Sequence, residues 1–521
     1  MTQTAQHIVI LGGGTAGWLT ANIVAAEFDP DTGVRVTLVE SPNTPPIGVG
    51  EGTWPSMRST LLKIGISETE FVKSCSATLK QGTRFKNWGS GNGDIYYHPF
   101  SLPHGFSDLN LADYWNAGEL GNGSFAECVT PQYAACERGL APKQIQVPEY
   151  AFTLNYGYHL DAGKFADLLK TNAVTRLGVV HTLADVSAVR ADAEGNIESL
   201  ETSAGPITGD FYVDCSGLSS LLIGEHYGVP LSSQRDTLFN DRALALQVPY
   251  ADPADAIATT TKATAHHAGW FWDIGLQHRR GVGAVFSSRH TDQTRVEQAL
   301  RTYLRDTGTP TNAIEQPPRL IKFEPGYRDR FWEKNCVAIG LSAGFVEPLE
   351  ASALVLVELS ARRLAEYIPR LGDNMESVAT AFNEEFTGRW QQIIEFLKLH
   401  YALSKRTDSD YWREHQSANS MPAGLAMKLE DWRLRCPWHR DESRVDEMFP
   451  AASYQYVLYG MGFSSHVKLS IYRDAKARAQ KARTLHKEVQ RQSNQFTQRL
   501  PAHRQLLDAV STRGFAERPP Q

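Results

Sequence analysis

Long hydrophobic runs are missing from this chain of 521 residues. No stretch reaches the length of about eighteen apolar residues that a membrane-spanning helix needs, so no membrane association is expected. Blocks of basic residues are missing too. The net charge is −6, which argues against a nucleic-acid or other polyanionic partner. Cysteine is sparse and scattered: Cys75, Cys128, Cys136, Cys215, Cys336 and Cys436 include no Cys-x-x-Cys pair. That spacing excludes the common zinc sites and a disulfide framework, and no metal is expected. The first six residues are mostly polar or small, with no charged segment, apolar core and cleavage site of a signal peptide. A soluble cytoplasmic protein is therefore expected. What is present is enough apolar material for a full core, at 42% hydrophobic residues, together with 41 glycines and 11 tryptophans. The glycines point to constrained turns and the tryptophans to aromatic walls or a large core.

The first apolar run, His7 to Leu11, reads as a strand and meets Gly12-Gly13-Gly14-Thr15-Ala16-Gly17-Trp18, which opens a helical pattern. This is G-x-G-x-x-G between strand and helix. Gly12 allows the tight turn, Gly14 lets a pyrophosphate approach the backbone, and Gly17 lets helix and strand pack closely. A second strand from Val34 ends at Glu40, 23 residues after Gly17, where a carboxylate can bind a ribose hydroxyl. A glycine-rich turn with a chance acid is the bland alternative. The two strands and the placed acid favour dinucleotide binding at Gly12, Gly14, Thr15, Ala16, Gly17 and Glu40. Only one such fingerprint is found.

Further along, Ile47-Gly48-Val49-Gly50-Glu51-Gly52-Thr53 has glycine at alternate positions, as a loop lying against a flat group would, although a tight surface loop has the same composition. Ser56 to Gly65 and Glu68 to Ser74 read as helices. The stretch Thr78-Leu79-Lys80-Gln81-Gly82 reads as a strand leaving an apolar element near a bend, and Lys80 alone would be a solvated surface charge. Residues 89–150 are weakly periodic and read as an irregular insertion covering a pocket. Tyr158 to Lys170 has helical spacing with Asp161 as N-cap. Segments at 179–181, 185–189 and 197–202 read as a meander, and Asp210 to Asp214 as a returning strand. Cys215 after it reads as a buried structural thiol rather than a nucleophile, with no histidine positioned nearby in sequence.

Gly269-Trp270-Phe271-Trp272-Asp273-Ile274-Gly275 places Trp270, Trp272 and Ile274 on one face of a strand. An aromatic core strand and a rigid partition between two compartments are both open readings. Asn335 to Glu350 reads as a late strand and a small-residue loop, followed by a helix from about Ala351. Glu350 stands at that helix start, where a carboxylate is favoured by the dipole with or without a chemical role. Phe382–Leu399, Leu425–Leu434 and Val467–His486 read as helices, and residues 487–521 as a polar, frayed terminus.

These motifs together resemble the flavin-dependent halogenases of the tryptophan-halogenase family, over the chain to about residue 480. The opening fingerprint, the strap Ile47 to Thr53, the Thr78-to-Gly82 motif, the segment Trp270 to Gly275, similar to the W-x-W-x-I-P signature, and Glu347-Pro348-Leu349-Glu350-Ala351-Ser352-Ala353 carry the likeness. Phe396 to Tyr401 resembles part of the family's helical C-terminal region. Two positions depart from the pattern: Gly275 replaces the signature's proline, and Ala351-Ser352-Ala353 replaces Ser-Thr-Gly after the glutamate. The segment Phe449 to Phe463 is similar to members that act on free indoles, the indole-accepting, brominating type.

The resemblance implies an α/β fold: a Rossmann-type FAD-binding domain of the flavin-monooxygenase kind, with an additional mostly helical C-terminal substrate region. It implies a module over 1–375 that binds FAD and carries an inserted sheet, and a helical region over 376–521 that closes the substrate site. Reduced flavin and O2 would turn chloride or bromide into hypohalous acid. Lys80 would receive it and present electrophilic halogen to an electron-rich aromatic such as indole or tryptophan, and Glu350 would polarise the donor or take the ring proton. FAD contacts are implied at Gly48, Val49, Gly50, Glu51, Val186, Leu341 and Leu354 besides the fingerprint, and halide contacts at Ser352 and Ala353. Trp270 and Trp272 would wall the substrate off from the flavin. A separate NAD(P)H-dependent flavin reductase must supply FADH2, and a homodimer is compatible with the resemblance. The alternatives are an aromatic hydroxylase of the flavin monooxygenase class and a catalytically idle flavin-binding protein.

Overall fold

The computed structural model describes residues 6–44, 50–371, 374–441 and 448–517. The chain forms two compact units, each assembled from three segments: Met1–Ala77, Leu160–Gln234 and Phe323–Trp390 in the first, and Thr78–His159, Arg235–Lys322 and Gln391–Gln521 in the second. This grouping differs from a linear division at residue 375, because hydrogen-bonded strands and their covering helices come from separated stretches of chain. Among the described residues, no helix is long and apolar enough to cross a membrane.

The first unit is built on a six-stranded sheet in the order Trp332–Glu333, Cys336–Ala338, Phe211–Asp214, His7–Leu11, Arg35–Glu40 and Val180–Leu183. All neighbours are parallel except the first pair. Ile8, Val9 and Ile10 are all fully buried, as expected where both faces of a parallel strand are covered. Helix Thr15–Ala25 packs against helices Ala162–Arg176 and Ser352–Tyr367. Buried amides lock the first of these contacts: Asn22 Nδ2 donates to Leu169 O at 2.8 Å, and Asn172 Nδ2 donates to Asn22 Oδ1 at 2.8 Å. Such fully paired buried polar groups fix register as well as adding stability.

Two local expectations are corrected here. Val180–Leu183 does not open a meander but extends the parallel sheet beside Arg35–Glu40, with Leu38 opposite His181. The antiparallel meander is Val186–Ala191, Ile197–Thr202 and Gly205–Thr208. Gly157–Asp161 is a strand, and the helix starts only at Ala162, where the Asp161 side chain caps by accepting from Lys164 N. Tyr158, His159 and Leu160 are all fully buried in that strand, with both faces covered. Cys215 is buried against the Gly12 turn, and burial pushes its thiol well up, as a structural cysteine requires.

The second unit is built on a seven-stranded sheet in the order Arg319–Lys322, Arg242–Pro249, Arg279–Phe286, Gly269–Gly275, Thr261–His266, Gly82–Lys86 and Ile95–Pro99. Helix Gln293–Asp306 covers one face with Val296, Leu300 and Leu304, a stripe at four-residue spacing packed on Leu244, Phe271, Val282 and Phe286. The weakly periodic stretch 89–150 contributes the edge strand Ile95–Pro99 and three short helices, Leu111–Asn116, Phe125–Val129 and Gln132–Glu137. None exceeds six residues, which is too short for a period to show.

The expected frayed terminus is the clearest correction. Helix Ala475–Arg499 runs well past His486, and a last helix spans His503–Arg513 with His503, Leu506, Leu507 and Val510 buried. Backbone contacts hold it at both ends: Ala141 N donates to Pro501 O at 2.9 Å, His503 N to Gly139 O at 3.0 Å, and Glu149 N to Ala516 O at 3.0 Å. Composition alone reads this segment as polar because one buried stripe serves a helix otherwise in water. The final residues, 518–521, lie outside the described residues.

Candidate active site

In the first unit the turn between His7–Leu11 and Thr15–Ala25 is shaped by contacts that leave no room for a side chain. A Cβ on Gly12 would lie 2.1 Å from Cys215 O, and one on Gly17 would lie 1.9 Å from Gly12 O. Gly12 also has φ +121°, which only glycine adopts readily. Gly14 faces open space, and no side chain caps the helix there, so its first amides remain available to an anion. Thr15 and Ala16 supply the first helical residues. This cradle fits a dinucleotide pyrophosphate.

Glu40 ends the second strand as expected. Its Oε2 meets His181 Nε2 at 2.8 Å and Lys170 Nζ at 3.3 Å. Neither partner was found in the sequence, since both reach Glu40 from other elements, one on the neighbouring strand. Gly13 leaves the space the Glu40 carboxyl occupies, with a Cβ there meeting it at 2.3 Å. Gly48 and Val49 lie outside the described residues. Gly50 and Glu51 belong to the short strand Gly50–Gly52. Glu51 keeps some exposure as a residue, yet protein surrounds its carboxyl, and desolvation pushes it up to about 7. Val186 starts the antiparallel meander, Leu341 lies in the turn Gly340–Ser342, and Leu354 is buried in helix Ser352–Tyr367. At Gly340, with φ +82°, a Cβ would come within 2.7 Å of Ala16 Cβ, so the late loop returns directly to the first helix.

Glu350 is 6% exposed and precedes that late helix. It adopts φ +66°, and Ala351 after it adopts φ +55°. Two successive left-handed residues without glycine are costly and are held here by their surroundings. Trp54 Nε1 donates to Glu350 O at 2.8 Å, a restraint that sequence reading missed because it joins positions nearly three hundred residues apart. Ser352 is buried and Ala353 exposed in the first turn of the helix, which no side chain caps. First-turn amides of a helix have no partner within it.

Lys80 belongs to the second unit and is 1% exposed. It is not the solvated charge that composition favours. It ends the strand Thr78–Lys80, which pairs antiparallel with Gly157–His159, and its Nζ lies 5.2 Å from the Phe100 ring centre. Thr78, two residues back on the same face, donates from Oγ1 to Gly275 O at 2.6 Å. The lysine strand is thereby joined to the end of the tryptophan strand. His159, opposite Thr78, is fully buried with Nε2 2.8 Å from Thr261 Oγ1. Burial first, then the charges of Lys80 and His503, hold it well below the usual imidazole range.

Trp270 and Trp272 are buried in the tryptophan strand with ring centres 6.5 Å apart. Trp88 packs at 6.3 Å from Trp270 and at 5.8 Å from Trp412, extending the aromatic layer. Gly283, opposite Trp272, was not singled out in the sequence; a Cβ there would lie 2.1 Å from the indole. On the other face Asp273 is clasped by Arg280 at 2.7 and 3.0 Å and receives the Tyr303 hydroxyl at 2.9 Å. Gly275 sits where a Cβ would meet Tyr250 OH at 3.1 Å and Ile257 Cγ2 at 3.2 Å, so a larger residue requires its neighbours to give by a few tenths of an ångström.

The model of the tryptophan halogenase family matches residues 7–476. Tryptophan 7-halogenase RebH of Lentzea aerocolonigenes is 32% identical over 89% of this chain and 90% of its own length. The 7-chloro-L-tryptophan 6-halogenase KtzR of Kutzneria sp. (strain 744) is 34% identical over 87% and 90%. Among solved structures, a tryptophan halogenase from Shewanella frigidimarina NCIMB 400 superposes with TM-score 0.94 at 46% identity, covering 99% of both chains. BrvH, a flavin-dependent halogenase from Brevundimonas sp. BAL3, superposes with TM-score 0.85 at 32% identity, covering 98% and 99%. With the Rossmann-type sheet, the open glycine cradle and the tryptophan strand in place, the chain belongs to the tryptophan halogenase family of flavin-dependent halogenases.

Proposed function

We propose that this protein halogenates an electron-rich aromatic ring, the indole of tryptophan or a free indole, using FADH2, O2 and chloride or bromide. The observation that carries this reading is Lys80: a lysine 1% exposed, on a strand tied through Thr78 to the tryptophan strand. A buried ionisable side chain is a candidate functional group, and the family's chemistry supplies a use for this one. Bound FAD, reduced, supplies with O2 the oxidising equivalents that convert halide into hypohalous acid. Gly12, Gly14 and Gly17 with the Thr15 helix start hold the pyrophosphate, and Glu40 holds the ribose. The amides of Ser352 and Ala353 hold the halide.

Hypohalous acid is diffusible and indiscriminate, so its delivery has to be directed. Lys80 receives it, as a hydrogen-bond donor or through a transient haloamine, and presents the halogen to the ring. The O–X bond breaks and a C–X bond forms; the displaced ring proton and the hydroxide leave as water. Glu350 polarises the halogen donor or takes that proton. Trp270 and Trp272 keep the ring from direct oxidation. One fingerprint serves one dinucleotide, so a separate NAD(P)H-dependent reductase delivers FADH2. A regiochemical preference follows from which ring carbon meets Lys80.

The test is incubation with a flavin reductase, NADH, bromide or chloride, and tryptophan or indole, read by mass spectrometry. A halogenated product that requires halide, and that Lys80→Ala abolishes while FAD binding persists, is expected. A hydroxylated product formed without halide would overturn this in favour of the monooxygenase. No product across an arene panel with both halides would favour the idle flavin-binding protein.

A further inference from the structure

The histidine that begins the last helix touches the lysine strand. His503 is 1% exposed, and its Nε2 accepts the backbone N–H of Leu79 at 3.0 Å, one residue before Lys80. An acceptor nitrogen carries no proton, so the proton is on Nδ1, which donates to Ile257 O at 3.3 Å. Arg504 continues the clamp. Its guanidinium donates to Asp255 O and, at 3.3 Å, to Gln277 O, just beyond the end of the tryptophan strand. Two adjacent residues of the terminal helix therefore hold the lysine strand, the 255–257 loop and the exit of the tryptophan strand. Desolvation pushes the imidazole down to about 4, so it stays neutral at physiological pH and its acceptor stays available.

We propose that His503 is a positioning residue for Lys80: by accepting the Leu79 amide it fixes the backbone from which the lysine side chain projects. The inference rests on the halogenase reading given above. The lysine strand is only three residues long. In so short a ladder each bond to the backbone carries a large share of the restraint, and a misplacement of about 1 Å can cost on the order of a hundredfold in rate. Leu79 itself lies between Lys80 and Thr78, whose own bond to Gly275 is a second restraint on the strand. The two restraints act on consecutive residues, one through a side chain and one through a backbone amide, immediately before Lys80.

The test uses full-length enzyme with His503→Gln, which keeps an acceptor of similar reach, and His503→Leu, which removes it. Flavin oxidation, halogenated tryptophan and capture of free hypohalous acid by monochlorodimedone are measured together. His503→Leu is expected to shift the partition from product to trapped oxidant by about tenfold or more, with flavin oxidation unchanged, and His503→Gln is expected to restore it. Product and trapped oxidant falling in proportion would overturn the proposal, as would equal behaviour of the two variants. Should His503→Leu not fold, His503→Asn provides the same contrast with a side chain too short to reach.

Amide exchange of the peptide containing Leu79 gives a readout independent of catalysis. Protection at Leu79 should fall in the Leu or Asn variant and return in the Gln variant; equal protection in all would overturn the positioning role. If the wild type yields neither product nor trapped oxidant, the halogenase reading fails, and the exchange contrast still decides whether His503 holds this strand.

Discussion

The two units solve the same problem by different means. In the first, the candidate ligand groups are backbone amides at the uncapped starts of helices Thr15–Ala25 and Ser352–Tyr367, the former opened to space at Gly14. In the second, the candidates are side chains gathered from distant parts of the chain, Lys80, Trp270 and Trp272, with His159 and His503 bonded to the structure around them. A backbone cradle can be encoded within a few consecutive residues. A side-chain constellation needs the whole unit to fold before any member has its neighbours.

The sharpest way to break this comparison is to add one methyl group to each. Gly17→Ala places a Cβ 1.9 Å from Gly12 O, and Gly283→Ala places one 2.1 Å from the Trp272 ring. The first should weaken FAD binding by about a hundredfold or more, since the turn must open by an amount the cradle cannot absorb. The second should leave FAD affinity within about threefold and reduce halogenated product by about tenfold through the displaced indole. Flavin fluorescence titration and product analysis on both variants check this. Equal losses of FAD affinity would show that the two units do not divide the work in this way.

What was legible follows the same line. The strand–glycine–helix opening, Glu40 at the end of its strand, the tryptophan strand and the helix after Glu350 were readable because each is local. Trp54 on the Glu350 carbonyl, His181 and Lys170 on Glu40, Gly283 under Trp272, and His503 on Leu79 were not. Each is a contact between positions with no periodic relation in sequence. The terminal helix was misread for a related reason: its few apolar positions are outnumbered by polar ones, and only the surface it covers shows which face matters. The departure at Gly275 was visible in sequence, but the tight surroundings it meets, Tyr250 and Ile257, were not.

A second contrast concerns pH. The first unit buries the Glu358 carboxyl, which accepts from Ser56 at 3.0 Å and from Thr60, and desolvation pushes it up to about 7. The second buries imidazoles, with His503 pushed down to about 4 and His266 to about 3. The signs are opposite. A carboxyl whose folded pKa is raised contributes stability that is complete below its unfolded value, near 4.5, and is lost as pH rises through 7. A histidine whose folded pKa is lowered contributes stability that is complete above its unfolded value, near 6.5, and is lost as pH falls through 4. Glu358→Gln should therefore gain on the wild type between pH 5 and 7, by at most about 1.4 kcal/mol per pH unit. His503→Gln should gain on it between pH 6.5 and 4, by no more than the same slope. Denaturant midpoints across pH 4–8 measure both. A pH-independent difference for either variant would remove that group from the linkage.

The smallest expected effect tests whether strain is stored in the first unit's backbone site. Ala351 holds φ +55° and ψ +43°, directly after Glu350 at φ +66°. An L-residue in the left-handed region costs about 1–2 kcal/mol, whereas glycine occupies it freely but gives up more chain entropy on folding. The net for Ala351→Gly is a gain of about 0.5–1 kcal/mol. The same freedom loosens the turn that aims the Ser352 and Ala353 amides, so the halide KM should rise by about two- to threefold, with FAD affinity unchanged. Lys80 offers a control, because its strand residues carry no positive φ and its side-chain restraints should not respond. The partition between product and trapped oxidant should then stay as in the wild type. A variant less stable than the wild type would show that Ala351 is not strained in the folded protein. A changed partition would show that oxidant delivery depends on the backbone of the first unit and not only on the side chains gathered around Lys80.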